Sequence, residues 1–92
     1  MILIDPVWAR IRANAGNQFH QIRGKAFTYT IQGNSLVPDG INQQIPKTHF
    51  ELALPHLPLE NTVPVQHLRG PSYIYAVLMD QRIRGQDEWG VT

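Results

Sequence analysis

The sequence predicts an α+β fold on three observations. Phe27, Tyr29 and Ile31 alternate with Thr28, Thr30 and Gln32, the period of a half-buried strand rich in β-forming residues. Val7, Trp8, Ile11 and Ala15 recur at helical spacing, with Arg10, Arg12 and Asn14 on the opposite side. Tyr73 to Met79 is the longest unbroken apolar run, and it follows the helix-start signal Gly70-Pro71-Ser72. Helices at both ends with strands between them suit one small antiparallel sheet covered on one face by helices.

The elements follow in order. Asp5 is a natural N-cap and Pro6 fits a first helical position, so a helix is expected over about 6–15, stopped by Gly16. A β-hairpin is expected over 19–32: Phe19 to Ile22, the turn Arg23-Gly24-Lys25, then Ala26 to Gln32. Ser35-Leu36-Val37 adds a strand before the Pro38-Asp39-Gly40 turn, and Gln43 to Lys47 is extended because of Pro46. One or two short strands therefore join the hairpin. Thr48-His49-Phe50-Glu51 reads as a capping box that starts a second helix, which Pro55 ends or restarts. Pro58 and Pro64 frame a loop over 58–65. The run from Tyr73 fits a buried helix or a buried strand by periodicity alone. Pro71, the length to Gly85 and the Ala, Leu and Met content favour a helix over 71–84; the two Tyr with Ile and Val favour a strand. The tail 86–92 has Trp89 as its anchor.

Composition bounds the function. At 92 residues the chain fits one domain, and 42% hydrophobic content can fill one modest core. There is no cysteine, which excludes disulfides and thiolate zinc sites. A cysteine-free small domain is expected in a reducing compartment, the cytoplasm, and the start Met1-Ile2-Leu3-Ile4-Asp5-Pro6 lacks the basic region of a signal peptide. No stretch approaches the ~18 apolar residues a membrane helix needs. Only 16% of residues are charged, and a surface poor in charge is weakly protected against association, so a homodimer is expected. Residues 1–46 carry Arg10, Arg12, Arg23 and Lys25 against Asp5 and Asp39, a balance of +2. Residues 47–92 carry Lys47, Arg69, Arg82 and Arg84 against Glu51, Glu60, Asp80, Asp87 and Glu88, a balance of −1. A net +1 does not announce a nucleic-acid partner.

The motifs that carry chemistry are sparse. His20, His49, His56 and His67 include no pair at the spacing of H-E-x-x-H, so no metal site is assigned. Glu51 has a structural task in the capping box, and Asp80 is placed to pair with Arg84 one turn on, so no paired-carboxylate site and no catalytic residue is assigned. Pro38-Asp39 followed by Lys47 lacks the acid that a metal-dependent nuclease carries two residues before its Lys, where Ile45 stands here. No glycine-rich phosphate or dinucleotide motif and no nucleophile elbow is present, so no cofactor is assigned.

What remains is recognition chemistry. Arg23 and Lys25 in the hairpin turn, with Arg69, Arg82 and Arg84, form the candidate binding surface. Trp8, Tyr29, Tyr73, Tyr75 and Trp89 are candidates for an interface or an apolar pocket. The leading expectation is a non-enzymatic binding or interaction module that self-associates, with the apolar run from Tyr73 at its interface. The second is a DNA- or RNA-binding regulator using the basic turn and the last helix. Against it, the connection from Leu54 to Pro71 far exceeds the turn of a helix-turn-helix. The third is a small-molecule-binding domain or small enzyme with a pocket among Trp8, Tyr29 and Tyr73.

Gly70-Pro71-Ser72-Tyr73 through Asp80-Gln81-Arg82-Ile83 resembles a tail in small uncharacterised bacterial proteins. The resemblance covers about the last quarter of the chain. It implies a bacterial origin, from a mobile element or an environmental genome, and carries no function or site residue.

Overall fold

A computed structural model describes residues 3–85, so the tail 86–92 and its Trp89 lie outside the described residues. The architecture is α+β, with an N-terminal helix, two small antiparallel sheets and C-terminal helices.

Helix α1 spans Ile4–Ala13 and buries Val7, Trp8 and Ile11. It starts two residues before the predicted position. Leu3 is the flanking extended residue, and no side chain caps the helix. Pro6 is tolerated there because the first four helical N–H groups lack intrahelical partners in any case. Asp5 therefore sits inside the first turn and accepts a hydrogen bond from Lys47 Nζ at 3.0 Å, so it is not the cap. At the other end the chain turns at Gly16, whose φ is +89° and whose N–H donates to the Tyr29 carbonyl at 2.9 Å.

The predicted hairpin forms, with a division the sequence does not suggest. Strands β1 (Phe19–His20) and β2 (Ala26–Phe27) pair antiparallel, Phe19 opposite Phe27. The run continues as β3 (Tyr29–Gln32), which pairs instead with β4 (Ser35–Pro38), Tyr29 opposite Pro38 and Gln32 opposite Ser35. The switch falls at Thr28, whose carbonyl accepts the Asp39 N–H and whose hydroxyl donates to the Asp39 carboxylate. Strand β5 (Ile45–Pro46) adds to β4 with Leu36 opposite Ile45, giving the order β3-β4-β5.

Helix α2 spans Lys47–Ala53. The capping box does not form. The Lys47 N–H donates to the Asn34 carbonyl at 2.7 Å, so the helix starts at Lys47 and Thr48 lies inside its first turn. Pro55 ends α2 as expected, and the chain continues as a 3-10 turn over Leu54–His56. A second 3-10 turn, Val63–Val65, follows in the loop.

The apolar run is a helix, but the stretch 71–84 is two helices. Helix α3 spans Pro71–Leu78 and helix α4 spans Gln81–Arg84. Between them Asp80 is extended (φ −74°, ψ 139°), and its carboxylate accepts the Arg82 N–H at 2.9 Å as an N-cap. A short carboxylate that competes for backbone N–H groups favours a fresh start over continuation. The ion pair predicted from Asp80 to Arg84 forms instead with Arg82, at 2.9 Å. Gly85 ends α4 with φ +68°.

One hydrophobic cluster gathers side chains from α1, both sheets, α2, the loop, α3 and α4. Ile74, Ala76, Val77 and Leu78 of α3 are buried, and Tyr73, Tyr75 and Met79 are half-buried against the same cluster.

Candidate recognition cleft

The five candidate cations separate into groups. Arg23 and Lys25 are exposed in the turn between β1 and β2, which is closed by the Gly24 N–H on the Gln21 carbonyl at 2.7 Å. Arg82 is drawn beside β1, with its Nε and Nη2 engaged. Its Nε donates to Asp80 Oδ1 at 2.9 Å and its Nη2 to Asp80 Oδ2 at 3.0 Å and the Gln18 carbonyl at 2.7 Å. Its guanidinium lies 4.1 Å from the Phe19 ring centroid, close enough for cation–π attraction. Burial pushes the Asp80 carboxyl up, but the side-chain and backbone hydrogen bonds from Arg82 outweigh it and hold the group below the usual carboxylate range. Arg82 is therefore a fastening between α4 and β1. Arg84 is half-buried at the end of α4.

Arg69 belongs to a different set of elements. Its backbone N–H donates to His49 Nδ1 of α2 at 2.9 Å, and its Nη1 points at the Gln44 carbonyl at 3.4 Å. The accepting Nδ1 places the ring proton of neutral His49 on Nε2. These contacts fix Arg69 on the wall of an open cleft of about 610 Å³ whose other lining residues are Ile41, Asn42, Gln43 and Gln44. The cleft arises because the chain must return from the Pro38-Asp39-Gly40 turn to β5. Residues 41–44 do so in irregular conformation, after the Ile41 N–H closes the turn on the Pro38 carbonyl at 3.2 Å. Asn42 and Gln43 make no hydrogen bond among the described residues. The cleft thus offers one guanidinium, three carboxamides and unpaired main-chain groups beside a single apolar side chain.

No family model, curated protein or solved structure matches this chain.

Among the described residues, the aromatic candidates Trp8, Tyr29 and Tyr73 are engaged with separate neighbours. Trp8 is buried with its ring 5.7 Å from Phe50. Tyr29 is buried, donates its hydroxyl to the Ile11 carbonyl at 2.6 Å and lies 5.3 Å from Phe19. Tyr73 sets its ring edge-on to Phe27 at 4.9 Å. These side chains hold α1, β3 and α3 to their neighbours. Tyr75 is half-buried on α3, and Trp89 lies outside the described residues.

Of the cleft residues, sequence reasoning found Arg69 and missed Ile41, Asn42, Gln43, Gln44 and the supporting His49. The amide-rich Asn42-Gln43-Gln44 run between a turn and a proline was the available signal. Its partnership with Arg69, 25 residues away, has no local signature.

Proposed function

We propose that this protein is a non-enzymatic binding module that takes a carboxylate-bearing segment of another polypeptide into the cleft formed by residues 41–44 and Arg69. The observation that carries the reading is the guanidinium fixed beside three carboxamides and open backbone. Arg69 spends one N–H direction on Gln44 and keeps the rest of its planar fork, the geometry that meets a carboxylate with two parallel hydrogen bonds. Asn42 and Gln43 supply donors and acceptors of the kind that bind an extended main chain. Among the lining residues only Arg69 is ionisable, and an arginine does not exchange its proton near neutral pH. That supports recognition over acid–base chemistry.

The test is an amide-resolved NMR titration with a short oligoglutamate peptide, beside a parallel titration with a short mixed-sequence DNA duplex. The expected result is a set of peptide-induced shifts confined to residues 41–44, Arg69 and His49, abolished in Arg69→Gln. Absence of shifts there, or equal shifts in Arg69→Gln, overturns the reading. A second reading, nucleic-acid binding, is favoured by the exposed Arg23 and Lys25 at the tip of the hairpin. It predicts duplex-induced shifts at that turn that vanish in high salt, as released counterions require.

A further inference from the structure

His56 and His67 are eleven residues apart on different elements, yet their rings stand 6.3 Å apart between centroids at an interplanar angle of 75°. Both side chains are exposed, and neither ring takes part in a hydrogen bond among the described residues. The backbone beneath them is fixed. His56 closes the 3-10 turn that starts at buried Leu54, and the Leu57 N–H donates to the Leu54 carbonyl at 3.2 Å. His67 sits between buried Val65 and Leu68, with the Leu68 N–H on the Val65 carbonyl at 2.9 Å. Tertiary packing brings the two imidazoles together from separate anchored turns.

We propose that His56 and His67 form a two-point site for a divalent transition-metal ion of the zinc, nickel and copper class. Imidazole nitrogen suits these ions, whereas magnesium and calcium call for oxygen ligands. Two imidazoles on one ion at ~2.1 Å each need their donor nitrogens within about 3–3.5 Å of each other. Rings 6.3 Å apart centre to centre reach that by rotating two solvent-exposed side chains, with no movement of the buried anchors. Among the described residues no set of three or more His, Asp or Glu side chains converges on one point, so water completes the coordination shell. Metal binding competes with protons for the same nitrogens, so affinity falls as the solution is acidified. The site is separate from the cleft: neither histidine lines it, and His49 has its Nδ1 occupied by the Arg69 N–H.

The experiment is calorimetric titration of the intact chain with Zn²⁺ and, separately, Ni²⁺ in a non-chelating buffer at neutral pH. Wild type, His56→Gln, His67→Gln and the double variant are compared, with His20→Gln as control. The expected result is one ion per chain. Each single variant weakens binding about tenfold or more, since even losing a supporting group of a metal ligand costs that much. The double variant is little worse than either single one, and His20→Gln is unchanged. Both substitutions fall on exposed side chains, and an unaltered circular dichroism spectrum checks that the fold survives. No heat in wild type, unchanged affinity in the single variants, or equal loss in His20→Gln overturns the proposal.

Discussion

At the scale of single residues, two polar side chains have a defined cost of removal: Tyr29, which ties β3 to α1, and Asp80, which caps α4. Tyr29 is wholly buried and its hydroxyl donates to the Ile11 carbonyl at 2.6 Å. Tyr29→Phe is expected to lower the unfolding free energy by about 1 kcal/mol, the net worth of one such bond, measured by urea denaturation. Burial pushes the Tyr29 phenol well above the ordinary tyrosine range; the nearby Arg82 charge lowers it by less, and the Asp80 charge adds a smaller push upward. The folded state thus disfavours the phenolate. Its contribution is intact below about pH 10, where an unfolded tyrosine ionises, and is lost as pH rises beyond that. Tyr29→Phe should flatten this alkaline loss. Asp80 behaves in the opposite sense. Its carboxyl is held below the usual range, so its contribution is present above about pH 4 and disappears as pH falls through the lower folded-state value. Asp80→Asn keeps an N-cap oxygen and loses the ion pair; Asp80→Ala loses both. The alanine variant is expected to be the less stable at neutral pH by about 1 kcal/mol, the usual worth of a cap. Equal stability of the two variants would show that the cap contributes nothing.

At the scale of elements, the start of α3 depends on Gly70. Its φ of +62° lies in the left-handed region, and a Cβ there would stand 2.7 Å from Ile45 Cδ1 of β5. Gly70→Ala should therefore destabilise by about 1–3 kcal/mol, combining left-handed strain with displacement of a fully buried side chain. Thermal denaturation followed by circular dichroism measures this, and an unchanged midpoint would contradict it. The elements that were legible in the sequence are those decided by neighbours along the chain. The period of α1, the Gly24 turn and the Pro71 start are all of this kind. Two of the misread features were decided by remote partners and the third by a local cap. Thr28 switches sheets because Asp39 meets it, α2 starts at Lys47 because the Asn34 carbonyl reaches that N–H, and 71–84 divides at Asp80 because its carboxylate turns to Arg82. The candidate site follows the same rule: Arg69 was legible as a cation, whereas its partners Gln44 and His49 lie 25 and 20 residues away.

At the scale of the whole molecule, the question is whether the two small sheets and four helices of the described residues behave as one unit. Two-stranded ribbons of this size are not stable alone, so β1 and β2 depend on what covers them. Phe19 is fully buried and meets Phe27, Tyr29 and the Arg82 guanidinium, which links the first sheet to the second and to α4. Leu36 and Ile45 join the second sheet to the same cluster as Val7, Ile11 and Phe50. Helix α3 completes it, and its burial alters the case for self-association. Within the run from Tyr73 to Met79, Ile74, Ala76, Val77 and Leu78 are covered by the chain itself, and Tyr73, Tyr75 and Met79 are half-buried. The most exposed large apolar side chains among the described residues lie outside that run, Leu52 and Val63 with Leu3, at 55%, 65% and 62% exposure. With every element anchored in one cluster, unfolding should be a single cooperative transition. In a Trp89→Phe variant the remaining indole fluorescence reports Trp8 in the core, while far-ultraviolet circular dichroism reports the backbone as a whole. The two urea curves are expected to superimpose. Separated midpoints would mean that the sheet β1–β2 opens independently of the α1–α2 packing around Trp8, and that the Phe19–Arg82 contact is too weak to couple them.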